Sequence, residues 1–188
     1  MSAMIQNIRS KKKWRRVAVF ALALAPALIS CKQEKPFYFD FEHDEELDRL
    51  RWECHELYAL DSDHVMHGRN SLRLEIFSGK YPGLKISKFD PDWSSFRVLH
   101  AEIYNPQNDS LRLHIRIDDM RGNQPYADRF NSRLLLPPGW THFALPLDSL
   151  ITSGTRRKMN HASIEKIDFF ISHPEEPVTL FFDHLRLE

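Results

Sequence analysis

The chain has 188 residues, and its 26 Lys and Arg are balanced by 26 Asp and Glu. Six of the basic residues lie between Arg9 and Arg16 with no acid among them, so from Cys31 onward 20 basic residues face 26 acidic ones. An acidic body of this kind argues against nucleic acid as a partner, and two cysteines are too few for a disulfide framework.

The first thirty residues read as an address. The basic run of Arg9, Lys11, Lys12, Lys13, Arg15 and Arg16 precedes an apolar stretch at 17–29 (VAVFALALAPALI). That stretch is too short to span a bilayer. It ends in Leu28-Ile29-Ser30-Cys31, which resembles the bacterial lipobox. The resemblance implies a signal peptide over 1–30, diacylation of Cys31 and a short tether over 31–36. Lys32, rather than an acid, follows the cysteine. By the same resemblance this favours the outer membrane of the cell envelope, with the domain periplasmic or surface-facing. An uncleaved anchor helix is the alternative. Cys54 then has no partner in the chain and is expected to be a small buried hydrophobe beside Trp52.

Residues 37–188 read as one domain. A first strand is expected at 37–41 (FYFDF), then a charged turn at 43–50 and a strand at 51–60. The stretch 71–77 (SLRLEIF) alternates, burying Leu72, Leu74 and Ile76. Gly79, Pro82 and Gly83 mark a loop before a short strand at 84–86, and Trp93 stands in a further loop.

The middle of the chain carries the clearest pattern. In 98–104, Leu99, Ala101 and Ile103 alternate with His100, Glu102 and Tyr104. In 111–118, Leu111, Leu113, Ile115 and Ile117 alternate with Arg112, His114, Arg116 and Asp118. A two-residue period means two strands, each with an apolar and a polar side. Asn105, Pro106, Asn108 and Asp109 supply a turn between them. The expectation is an antiparallel hairpin, its apolar side buried and its polar residues side by side on one face. Strands follow at 130–136, 140–147, 164–172 and 178–187, with turns at Pro137-Pro138-Gly139 and around Pro174 and Pro177.

Many short strands without intervening helices predict an all-β fold, a two-sheet antiparallel β-sandwich. The first and last strands should lie side by side, as in a jelly roll.

The order of short motifs adds a resemblance. FDFE at 39–42, HVMHGRNSLRLEI at 64–76, YPGL at 81–84 and WSSF at 93–96 come first. EIYNP at 102–106, HIRIDD at 114–119, YADRFN at 126–131, LPPGW at 136–140 and FFDHLRLE at 181–188 follow. Together they resemble the galactose-binding-like β-sandwich of carbohydrate-binding modules, nearest families 4 and 11, over 37–188. The resemblance implies a jelly roll that binds glycans without catalysis, on a sheet face or at loop tips. It also implies a structural Ca²⁺ joining the first strand to the last. Asp40, Glu42 and Asp183 stand at the matching positions, and carbonyls near Gly68 and Asn70 could complete an oxygen shell. Alternatively, Asp40 and Asp183 cap turns or pair with arginines.

A glycan binder needs planar hydrogen-bonding groups for hydroxyls and an aromatic face for the C–H side of the ring. Glu102, Tyr104, Arg112, His114, Arg116 and Asp118 provide the first set, extended by Arg129, Asn131 and Arg133. Tyr81, Trp93 and Tyr126, in nearby loops, could stack on a sugar. The plainer alternative is a solubilising salt-bridge network, Arg112 and Arg116 against Glu102 and Asp118. Catalysis finds little support. His64 and His67 lack the intervening Glu of a zinc hydrolase. Asp118 and Asp119 should face opposite sides of a strand, and no serine elbow occurs. Competing functions are a lipid-tethered adaptor docking a protein on the same face, and a divergent glycan-processing enzyme.

Overall fold

The alternating stretches become strands close to their expected limits. The protein, a computed structural model, is described for residues 36–120 and 122–188. The leader, Cys31 and the tether up to residue 35 lie outside the described residues. In chain order the strands are β1 (Tyr38–Phe39), β2 (Glu56–Asp61), β3 (Ser71–Ile76), β4 (Gly83–Ile86) and β5 (Val98–Asn105). They continue as β6 (Leu111–Asp118), β7 (Phe130–Leu136), β8 (Gly139–Pro146), β9 (Lys166–Phe170) and β10 (Val178–Leu187). Helix among the described residues is limited to short 3₁₀ segments such as Asp44–Arg49, and none is long and apolar enough to cross a membrane.

Two antiparallel sheets result. The first has the order β2-β3-β10-β5-β8, with β1 also paired to β10; the second has the order β4-β9-β6-β7. The chain is thus the expected all-β, two-sheet sandwich. Tyr38 pairs with Arg186 and Phe39 with Leu185, so first and last strands do lie side by side.

The inner faces follow from the two-residue period. Leu72, Leu74 and Ile76 of β3, and Leu99, Ala101 and Ile103 of β5, are fully buried from one side. Leu84, Ile86, Leu113, Ile117, Ile167 and Phe169 meet them from the other. Phe169 joins the layers, its ring centroid 5.5 Å from that of Phe182 and 6.0 Å from that of Phe143. Each such side chain contributes roughly 1.5–3 kcal/mol on leaving water.

The expected central hairpin is not formed. β5 pairs with β10 and β8, whereas β6 pairs with β7 and β9. The link between them arches from one sheet to the other. Buried Asn105 builds the corner: its Nδ2 donates to the carbonyls of Asp109 and Leu136, and its Oδ1 accepts from the Gln107 amide. The apolar sides of β5 and β6 are buried together as expected, but face to face across the core. Their polar sides therefore point to opposite exteriors.

Two smaller expectations also change. Trp93 is no loop-tip aromatic; it is fully buried, edge-on to Phe37 with centroids 5.1 Å apart. Cys54 is exposed in the turn before β2 rather than buried, because that strand begins only at Glu56.

Candidate functional site

The outer face of the second sheet forms the floor of a cleft of about 1390 Å³. That exceeds the roughly 300–1,000 Å³ of a small-molecule pocket. Directly opposed residues of antiparallel strands share a face, so the register places the floor in rows. One row runs Gly83, Phe170, His114, Arg133; the next runs Lys85, Asp168, Arg116, Asn131. Lys166 lies opposite Asp118 at the end.

The first row is a stacking surface. His114 lies parallel to Phe170, with centroids 5.2 Å apart and an interplanar angle of 18°. Tyr81, half exposed, stands edge-on to Phe170 at 5.4 Å. Burial, then the charges of Arg133 and Arg112, push the His114 pKa down and favour neutral imidazole. Gly83 sets how closely β4 approaches β9: a Cβ there would lie 2.1 Å from the Phe169 carbonyl oxygen. The Gly83 amide donates to Glu56 Oε1 and its carbonyl accepts from the Tyr58 hydroxyl, at 2.9 Å each.

The second row is a charge lattice. Arg116 Nε donates to Asp118 Oδ1 at 2.7 Å and its Nη2 donates to Oδ2 at 2.5 Å. Lys166 reaches Asp118 at 3.5 Å and Asp168 at 3.3 Å. Burial raises the Asp168 pKa against the pull of Lys166 and Arg116. At the β4 side Lys85 bridges Glu53 at 2.7 Å and Glu56 at 2.8 Å.

One wall is the segment 122–129, held by a clamp behind the cleft. Arg157 donates to both oxygens of Asp119 and of Asp128 at 2.6–3.0 Å. Gln124 caps the Asp119 and Met120 amides and donates to Asp119 Oδ1 and the Asp128 carbonyl. Burial alone would raise the Asp119 carboxyl; Arg157 and the Asn160 amide reverse it and hold it at about 2. This wall presents Tyr126, 64% exposed, with the Arg129 guanidinium 5.3 Å from its ring centre. Asn131 Nδ2 donates to Ser153 Oγ at 2.9 Å and fastens the neighbouring loop.

The predicted residues therefore divide. Tyr81, His114, Arg116, Tyr126, Arg129 and Asn131 line the cleft. Asp118 lies buried beneath Arg116 and Lys166, supporting the floor. Arg112 is exposed outside the cleft lining, and Trp93 is in the core. Glu102 and Tyr104 belong to the other exterior. There Glu102 receives His142 Nδ1 at 2.6 Å, and Tyr104 packs on His64 and Trp140. A network of Arg112 and Arg116 with Glu102 is excluded by that separation; only the Arg116–Asp118 pair of the plainer alternative exists.

The sequence reading passed over Lys85, Lys166, Asp168 and Phe170. The alternation in IEKIDFFIS already set Lys166, Asp168 and Phe170 on one side. Only the pairing of β9 with β6, some 50 residues apart in sequence, makes that side part of the site.

The carboxylates expected at a calcium ion fasten a loop. Glu42 Oε1 accepts the Arg69 and Asn70 amides at 2.7 and 3.0 Å. Asp183 Oδ2 accepts those of Met66 and His67 at 2.8 and 2.7 Å. A bulge in β10 between Asp183 and Arg186 serves this contact, with His184 at φ 47°. Glu46 is half-buried beside Asp40, and burial followed by that neighbouring carboxylate raises the Glu46 pKa to about 7. Among the described residues no three His, Cys, Asp or Glu side chains gather as for a metal. Asp183 Oδ1, however, is buried without a hydrogen-bond partner, so this corner offers one oxygen to a hard cation rather than a finished cage.

No protein-family model matches the sequence, and no curated protein matches it. Solved structures do match the fold. An exo-β-agarase superposes with a TM-score of 0.65 at 18% identity, over 80% of this chain and 24% of that one. A family 11 carbohydrate-binding module from Clostridium thermocellum, in complex with a β-1,3-1,4-mixed-linked tetrasaccharide, gives 0.60 at 14% identity, over 81% of this chain and 95% of that one. A second agarase gives 0.54 at 17% identity, over 80% and 25%. The chain spans about a quarter of the agarases but nearly all of the module. The fold is thus that of a carbohydrate-binding-module-like β-sandwich.

Proposed function

We propose that this chain is a non-catalytic glycan-binding protein tethered to the bacterial cell envelope, and that the cleft on the second sheet is its binding site. The observation carrying this is one surface that combines ring-stacking groups with a pre-formed polar lattice. Tyr81, Phe170 with His114, and Tyr126 offer aromatic faces. Arg116, Lys166 and Asp168 hold donors and acceptors in fixed positions between them. Such preorganisation limits the ordering cost on binding. The module-like fold supports the reading, as do the cleft carboxylates Glu53, Glu56 and Asp168, each engaged by Lys or Arg rather than left for acid–base work.

A glycan-array screen followed by calorimetry tests it: saccharide binding should weaken about tenfold in Tyr126→Ala, and a blank array would refute the assignment. Lipidation at Cys31 is part of the proposal, supported by the lipobox-like sequence. Labelling with a fatty acid should disappear in Cys31→Ala. A calcium ion at the Asp183 corner is a further part, supported by the unpaired Asp183 oxygen, while Asp40 and Glu42 accept backbone amides. Ca²⁺ should raise the melting temperature of EDTA-treated protein, and unchanged melting would remove the ion.

A further inference from the structure

The cleft is positive on a protein that is otherwise acidic. Eight Lys and Arg side chains line it against three carboxylates. Internal pairing accounts for four of the cations: Arg51 and Lys85 with Glu53 and Glu56, Arg116 and Lys166 with Asp118 and Asp168. The remaining four, Lys80, Arg129, Arg133 and Arg156, make no ion pair within 4 Å among the described residues.

Two of these have a defined setting. Arg129, Asn131 and Arg133 are alternate residues along β7 and the extended residue before it, so they share the cleft-facing side. At about 3.3 Å per residue the two arginines stand roughly 13 Å apart. The Arg129 Nε is buried with no hydrogen-bond partner, so the guanidinium is not tied down by a neighbouring acceptor through that nitrogen. Its guanidinium sits beside Tyr126 and feels the like charge of Arg116 together with the opposite charges of Asp118 and Asp168. Arg133 lies directly opposite His114, at the stacking row.

We infer that the cleft selects an acidic glycan, holding carboxylate or sulfate-ester groups along the sugar chain, one at Arg129 and another at Arg133, while Tyr126 and the Phe170–His114 pair take the ring. This rests on the cleft being the glycan site. Guanidinium forks match both groups bidentately, and a cationic cleft concentrates anions at its mouth. A bulky nucleic acid would meet the acidic remainder of the surface as well; a single glycan strand need not.

Calorimetry on the full chain in detergent distinguishes the outcomes. The ligands are a neutral mixed-linked glucan oligosaccharide, a uronic-acid oligosaccharide and a sulfated galactan oligosaccharide, each at low and high salt. We expect at least one acidic ligand to bind about tenfold or more tighter than the neutral one, the advantage shrinking in high salt. Whichever acidic ligand binds identifies the anionic group. Arg133→Ala and Arg129→Gln should abolish the advantage with near-UV circular dichroism unchanged, whereas Arg112→Ala, outside the cleft, should keep it. Equal or tighter binding of the neutral ligand, unaffected by the arginine variants, overturns this inference and leaves the glycan site standing. No saccharide binding at all overturns both, and arginine-dependent binding of a single-stranded oligonucleotide instead overturns the glycan.

Discussion

Tyr126 and Trp93 are both aromatic residues in connecting segments, and the fold gives them opposite work. Trp93 is wholly buried against Phe37 and Phe89; Trp93→Ala should lower unfolding free energy by about 3–5 kcal/mol, measurable in urea. Tyr126 touches little besides Arg129. Tyr126→Ala should leave the melting temperature in place and weaken glycan binding about tenfold, the order expected for one lost stacking partner. Glu46 is a carboxyl shifted into the neutral pH range. Its pKa of about 7 in the folded protein, against 4.5 unfolded, means the folded state keeps a proton that the unfolded chain releases. That contribution is complete below pH 4.5 and lost as pH rises through 7. Glu46→Gln keeps the size of the side chain and removes the charge. For this half-buried group we expect it to be more stable than the parent by about 1 kcal/mol at pH 8, with little difference at pH 4, by thermal melts.

At the level of elements, the wall carrying Tyr126 and Arg129 owes its shape to Arg157, reached from the opposite loop. The Gly154 and Thr155 amides also bond the Ala127 carbonyl, at 2.8 and 2.9 Å, and Gly154 has no room for a side chain beside Ala127. Arg157→Ala would leave buried Asp119 without its guanidinium. It should cost about 2–3 kcal/mol and speed amide exchange in 119–129 and 152–157 ahead of the sheets. Glycan affinity should fall although Arg157 lies outside the cleft. An unchanged exchange pattern would show that Gln124 alone shapes the wall.

At the scale of the whole molecule, histidines on both exteriors respond to acid in one sense and Glu46 in the other. Burial, the largest influence on each, lowers the pKa of His100 and His184 on the first sheet and of His114 in the cleft. Their neutral forms suit the fold, so their contribution is present above pH 6.5 and lost as pH falls through their lower folded values. Glu46 acts in the opposite sense over the same window. The melting temperature should therefore change little between pH 7 and 5 in the parent, and fall more steeply in Glu46→Gln. A parallel fall in both proteins would contradict the opposing titrations.

Residue order alone determined the strands, the inward side of each and the two-layer class. Alternation is local: Leu113, Ile115 and Ile117 must face the core whichever strand lies beside them. For the same reason it set His114, Arg116, Asn131 and Arg133 on the sides of their strands that line the cleft. Partnership was decided only in three dimensions. A turn rich in Asn, Pro and Asp serves a hairpin or an arch equally well, and buried Asn105, bonded to Leu136 in the opposite sheet, makes it an arch. That one choice sent Glu102 and Tyr104 to one exterior and His114 and Arg116 to the other. It also brought in Lys166, Asp168 and Phe170 from a strand far along the chain. Hydrogen bonds between strands do not depend on side-chain type, so a two-residue period specifies a face without specifying a neighbour; the neighbour is chosen by how the layers pack.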